Sequence, residues 1–233
     1  MAYRRSTHVL EFNARARDIV AKCRSASKLS SAHRDLTDMV FQCGIFQTCA
    51  ALETYLKLLI ESWAHEIRAR ALHIHLPDNT RGFLAAKRFE RHFSKYAYIG
   101  EETALSASIA AEYKTWPILD TNSHLPHYFN GAILHSETTY PTLKNIKRLF
   151  ARVGLEAVDG KLAAILKRDV EAMIEGFQSV RTALAHSAPP DVTMKDVRRL
   201  VQDMIALAGA IDKAFYSHVS KHGGPECWSS PVV

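Results

Sequence analysis

Little in this sequence suits disulfide, zinc or nucleotide-phosphate chemistry. Its four cysteines, Cys23, Cys43, Cys49 and Cys227, include no C-x-x-C pair, which argues against a zinc knuckle or a thioredoxin-like redox pair and fits a reducing, cytoplasmic setting. Only ten glycines are present, and they form neither a G-x-x-x-x-G-K-[ST] nor a G-x-G-x-x-G phosphate loop, nor a Gly-x-Ser-x-Gly nucleophile elbow. The two arginines of the N-terminus MAYRRSTHVLEF are followed by no apolar stretch of signal-peptide length. The most apolar window, Phe41 to Trp63, is interrupted by Glu53, Lys57 and Glu61, so no membrane span is expected. No repeat or low-complexity tract appears, and strand signals are poor.

What is present is an ordinary globular composition with a basic balance. Of 233 residues 47% are hydrophobic and 23% charged, and 30 Lys plus Arg against 24 Asp plus Glu leave +6. The excess is local: residues 1–35 carry +5, 36–100 carry +2, 101–160 carry −2 and 161–233 carry +1. Arg4, Arg5, Arg15 and Arg17 head that N-terminal cluster, which reads as a basic arm or helix able to face RNA phosphates, or as a solvated helical face.

Periodicity predicts an all-α chain. Long helices are expected near 36–72, 161–186 and 193–221, the last opening on Thr193 with Asp196 three residues on, a capping-box start. Between them lies a less regular insert of about 77–140, with short helices near Gly82–Ala97 and Glu102–Tyr113 and a loop over Trp116–Tyr140. A further short helix is expected near Thr142–Arg152. One domain spans 1–222, and 223–233 reads as a flexible tail.

Two charges interrupt the apolar stripes. Glu53 falls between Ala50 and Leu56 on the 36–72 helix, and Arg181 falls between Phe177 and Leu184. Each is costly alone in a core, so the two are expected to lie close together across the bundle. Such a pair can serve register alone or belong to a site. His186 follows Arg181 by five residues. Arg can hold phosphate oxygens and His can move the proton of a ribose 2′-hydroxyl, which is phosphodiester chemistry. The bare Arg-x4-His spacing is weak: chance predicts about one match and the chain has three, the others being Arg68 with His73 and Arg70 with His75. On a regular helix five residues turn through about 140°, so the pair shares a face only if the helix loosens or a second subunit completes the site. His73, His75, His124, His127 and His135 lack a carboxylate or thiolate constellation at known metal spacing, and no metal or cofactor is expected.

The segments Cys49-Ala-Ala-Leu-Glu-Thr-Tyr-Leu-Lys-Leu-Leu-Ile60 and Phe177-Gln-Ser-Val-Arg-Thr-Ala-Leu-Ala-His186, with Pro141–Phe150 between them, resemble the HEPN superfamily, in particular bacterial nucleases of the RiboL-PSP-HEPN type. The resemblance covers about 36–72 and 141–221. It implies a helical bundle, a homodimer with a composite cleft, and metal-independent RNA cleavage leaving a 2′,3′-cyclic phosphate, in toxin, stress or antiphage biology with an antitoxin or defence partner. It assigns Arg181 to the phosphate, His186 to proton transfer or 2′-hydroxyl orientation, and Glu53 to holding Arg181. Two positions depart from the pattern. Thr182 stands where active members commonly have Asn or Asp, and Ala188 stands where members paired with a nucleotidyltransferase antitoxin carry Tyr. A non-catalytic HEPN-like binding or dimerisation module is the alternative reading.

Overall fold

The computed structural model describes residues 2–70, 76–115, 129–138, 140–186 and 191–229. Among them there is no strand. The helices are α1 (Thr7–Ala26), α2 (Arg34–Ala69), α3 (Asp78–Ile99), α4 (Glu102–Thr115), α5 (Gly131–His135), α6 (Leu143–Arg152), α7 (Val158–Leu166), α8 (Val170–Leu184) and α9 (Met194–His222).

Helix α2 is the axis of the bundle. Its buried face runs through Ile45, Leu52, Leu56, Leu59, Ile60 and Trp63, a helical-period stripe whose opposite side carries Thr54, Lys57, Glu61 and His65. Helix α1 lies antiparallel on it: His8 meets Ser62 at 2.6 Å and the Cys23 thiol meets the Val40 carbonyl at 3.7 Å. Helix α9 packs on both, and Phe215 is the hub, its ring 5.9 Å from Trp63, 5.5 Å from Phe150 and 6.0 Å from Trp228. Helix α5 approaches α2 so closely that a Cβ on Gly131 would come within 2.4 Å of the Glu61 Cα, so only glycine fits there. The stretch Ser31–Ala69 has the length and apolar content to cross a membrane; in this fold 56% of its most apolar window is buried inside the bundle.

The expected helices at 36–72 and 193–221 are present as α2 and α9, and α9 starts on the full capping box: Asp196 N–H donates to Thr193 Oγ1 (3.3 Å) and Thr193 N–H to Asp196 Oδ2 (3.1 Å). The 161–186 helix is instead two helices. Lys167 takes a left-handed conformation (φ 55°) that ends α7, and Asp169 caps α8 by accepting from the Ala172 N–H at 3.0 Å. The apolar period continues through this break, which hid it from pattern reading.

As far as they are described, both terminal segments are packed on the bundle. Helix α1 belongs to the bundle, capped by Ser6, whose hydroxyl accepts from the Val9 N–H. Tyr3 and Ser6 both donate to the buried Asp212 of α9. The expected flexible tail is docked as far as it is described: Cys227 and Trp228 are buried, and the Trp228 indole N–H donates to the Arg4 carbonyl at 3.0 Å. The apolar Cys-Trp pair had a surface to cover, and that burial offsets the loss of chain freedom.

Candidate functional site

Arg181 sits one turn before the end of α8, half-buried, with its guanidinium carbon 5.4 Å from the centre of the Phe46 ring of α2 and 5.0 Å from that of Tyr140. The aromatic faces supply the attraction that replaces a counter-ion. No ion pair or hydrogen bond to a described residue engages the guanidinium, and its Nε is buried without a partner. Two more buried polar atoms lack partners beside it, the Tyr140 hydroxyl and Gln178 Oε1. The Gln178 amide N–H donates to the Pro141 carbonyl at 3.1 Å, which fixes how that amide lies. Arg181 Nε, the Tyr140 hydroxyl and Gln178 Oε1 therefore leave hydrogen-bonding capacity unused around this guanidinium.

Glu53 shares this neighbourhood without closing an ion pair. Burial pushes its carboxyl above its ordinary value, and Lys57 first, then Arg181, pull the other way. Cys49, one turn before it, feels both charges: burial and then Glu53 raise its thiol to about 11, while Arg181 and the Gln178 amide oppose the rise. Glu53 and Arg181 influence one another electrostatically, with no hydrogen bond or ion pair between them. A bidentate bridge, which would have consumed the guanidinium, is absent.

His186 follows the last turn of α8, its N–H bonded to the Ala183 carbonyl at 3.2 Å and its side chain exposed. With Thr182, Ser179, Gln178 and Glu175 it lines an open depression of about 600 Å³. That depression shares Glu175 and Gln178 with a second one of about 480 Å³ between α6 and α8 that contains Lys144 and Lys147. The two make one groove along α8. Arg181 does not line it, as the angular separation of the two positions requires. Gln178 connects the two places, because its amide borders the groove while its Oε1 lies buried one helical turn from Arg181. Nothing in the pattern of the sequence pointed to Gln178, Phe46 or Tyr140, since their partnership with Arg181 is long-range.

The remaining expected residues are dispersed. Thr182 is exposed in the groove. Arg4, Arg5, Arg15 and Arg17 are exposed on the N-terminal segment and α1. His135 is bound to Glu61 at 2.7 Å and ties α5 to α2. His73, His75, His124, His127 and Ala188 lie outside the described residues. Among the described residues no group of three or more His, Cys, Asp or Glu side chains is arranged to hold a metal ion. Compared with known proteins, the chain matches no family model, no curated protein and no solved structure.

Proposed function

We propose that the protein is a metal-independent endoribonuclease of the HEPN type that acts in the cytoplasm in toxin, stress or antiphage settings. The observation that carries this reading is Arg181: a guanidinium that lies against two aromatic rings, has no hydrogen-bond or ion-pair partner among the described residues, and neighbours further polar atoms without described partners is suited to receive a phosphate oxygen. His186, exposed in the groove, takes the proton of the ribose 2′-hydroxyl. The 2′-oxygen then bonds to the adjacent phosphorus, the bond from phosphorus to the 5′-oxygen breaks, and that oxygen leaves as a 5′-hydroxyl with a proton from water, while His186 gives up its proton to solvent. A 2′,3′-cyclic phosphate remains. Because Arg181 and His186 open on different sides of α8 in one chain, the reading includes a homodimer in which a second copy completes each site.

That same divergence supports a second reading, a binding module in which Arg181 grips an anionic partner and no bond is cut. One assay separates them. Purified protein is incubated with total RNA in EDTA and the new ends are examined for cyclic phosphate. Arg181→Ala and His186→Ala are each expected to lower cleavage by about 100-fold or more. Cleavage equal to that of the parent sinks the site. An absence of cleavage with retained, Arg181-dependent RNA binding selects the second reading.

A further inference from the structure

Two of the four thiols share one cavity, although they lie on different helices. Cys23, near the end of α1, is 1% exposed, whereas Cys43 of α2 is exposed. Both line a space of about 480 Å³ between these helices, whose other walls are mostly apolar, with Ile19 and Ala26 on one side and Met39 and Val40 on the other. Cys49 and Cys227 are buried and do not border it.

Helix packing brings the two sulfurs together. Val40, Cys43, Gly44 and Gln47 follow one another in steps of three, one and three, so they surround one hollow on α2, and all four line the cavity. Cys23 fills that hollow. Its thiol donates to the Val40 carbonyl at 3.7 Å, and its Sγ lies 2.8 Å from the point that a Cβ on Gly44 would occupy. Glycine at position 44 admits the sulfur, because a side chain there would push it out. The Cα of Cys43 is the next one along the chain, about 3.8 Å from that of Gly44, so the Cys43 side chain borders the sulfur in the hollow. The two thiols also act on each other: burial first, and then Cys43, push the Cys23 thiol above its ordinary value. Cys23 is thus shielded and protonated, and Cys43 is the sulfur that solvent reaches.

We propose that Cys43 and Cys23 form a peroxide-sensitive pair, in which Cys43 reacts first and Cys23 resolves it into a disulfide that joins α1 to α2. The oxidant is hydrogen peroxide, which is small and uncharged enough to enter the cavity. Cys43 Sγ bonds to one peroxide oxygen, the O–O bond breaks, and the other oxygen leaves as water with the thiol proton. The Cys43 sulfenic acid then stands beside Cys23. Cys23 Sγ bonds to the Cys43 sulfur as its S–O bond breaks, and the hydroxyl leaves as a second water with the Cys23 proton. The two thiols have lost two electrons and the peroxide has gained them. In a reducing compartment such a bond is transient, so it reports oxidation and does not build the fold. While it lasts, it ties the last turns of α1 to α2. The pair is remote from the groove along α8, and its test reads sulfur, so it does not depend on the ribonuclease reading.

The folded full chain is treated with hydrogen peroxide, unfolded in acid, capped at its remaining thiols and digested without reduction for mass mapping. A peptide holding Cys23 joined to one holding Cys43 is expected, with Cys49 and Cys227 capped. Cys43→Ser, a change at an exposed position, is expected to leave Cys23 reduced. Cys23→Ala is expected to stop at a Cys43 sulfenic acid that a 1,3-dicarbonyl probe captures. In the linked parent, amides of residues 22–36 are expected to exchange about tenfold more slowly than in the reduced protein, a difference that Cys43→Ser lacks. A Cys43–Cys43 bond between two molecules as the main product overturns the inference. So does Cys43 sulfinic acid with Cys23 still free, or four intact thiols after about 1 mM peroxide. Unchanged exchange in the linked protein overturns it as well, because the bond then holds nothing in place.

Discussion

Arg152 and Arg181 both interrupt apolar helix faces, and their environments separate a structural role from a site. Arg152 is buried, with Nη1 donating to the carbonyls of Leu134 at 2.7 Å and Ser136 at 2.6 Å and its guanidinium 4.5 Å from the Phe83 ring centre. It closes the end of α5, and burial lowers its pKa. Arg181 lies against the Phe46 and Tyr140 rings and has no acceptor among the described residues. Removing Arg152 strands two buried carbonyls, so Arg152→Met is expected to cost about 2–4 kcal/mol of stability. Arg181→Met strands no carbonyl among the described residues and leaves a flexible apolar chain beside the rings, so its stability is expected within about 1 kcal/mol of the parent. Urea denaturation of both variants decides the matter. A large loss at Arg181 would show that the residue is kept for packing rather than for a ligand. The sequence made Arg181 visible as a charge out of place but not Arg152, which follows Leu149 and Phe150 at the end of a short helix where a cation is unremarkable.

At the scale of elements, what was legible followed from local chemistry. The capping box of α9 and the long stripe of α2 read directly, because both depend on residues a few positions apart. The break between α7 and α8 did not, because its signal is one Asp and one residue with positive φ inside an unbroken apolar period. Helix α1 was seen as a block of charge, although its buried stripe of Val9, Phe12, Ala16, Ile19 and Cys23 fits helical spacing. The joint between α9 and the turn after α6 is another long-range feature, and it titrates. The His218 imidazole bonds through Nε2 to the Val153 carbonyl at 3.0 Å, and burial lowers its pKa from the ordinary 6.5 to about 4. Between these two values the unfolded chain binds a proton that the folded chain refuses, so stability falls as pH drops from about 6.5 toward about 4. The contribution is fully present above 6.5. His218→Gln keeps an amide donor and does not titrate. Its denaturation midpoint is expected to change less between pH 7 and pH 5 than that of the parent, and equal changes would remove His218 as the cause.

Over the whole molecule the termini form a clasp that composition alone could not suggest. The basic excess of residues 1–35 rests on a segment anchored at three points: Tyr3 on Asp212 at 2.7 Å, the Ala2 carbonyl on the Tyr216 hydroxyl at 2.9 Å and the Arg4 carbonyl on Trp228 at 3.0 Å. Asp212 is fully buried, and its hydrogen bonds from Ser6, Tyr3 and Tyr55 oppose the rise in pKa that burial imposes. Trp228 covers Phe215 and Tyr216, the second ring at 5.4 Å. Arg4 and Arg5 are thus presented on fixed backbone, so any anion they bind meets a preset pair of charges. Trp228→Ala removes a large buried ring and is expected to cost about 3 kcal/mol. It also frees the Arg4 carbonyl and loosens the Thr7 amide, which donates to the Ser229 carbonyl at 3.3 Å. Hydrogen exchange over residues 3–9 should therefore quicken in Trp228→Ala well before α2 or α9 opens, because this clasp is held by few bonds at the edge of the core. Asp212→Ala should quicken the same amides through the other anchor. If exchange at the N-terminal segment stays as slow as in the parent while global stability falls, the two ends are stabilised separately and the clasp does not exist.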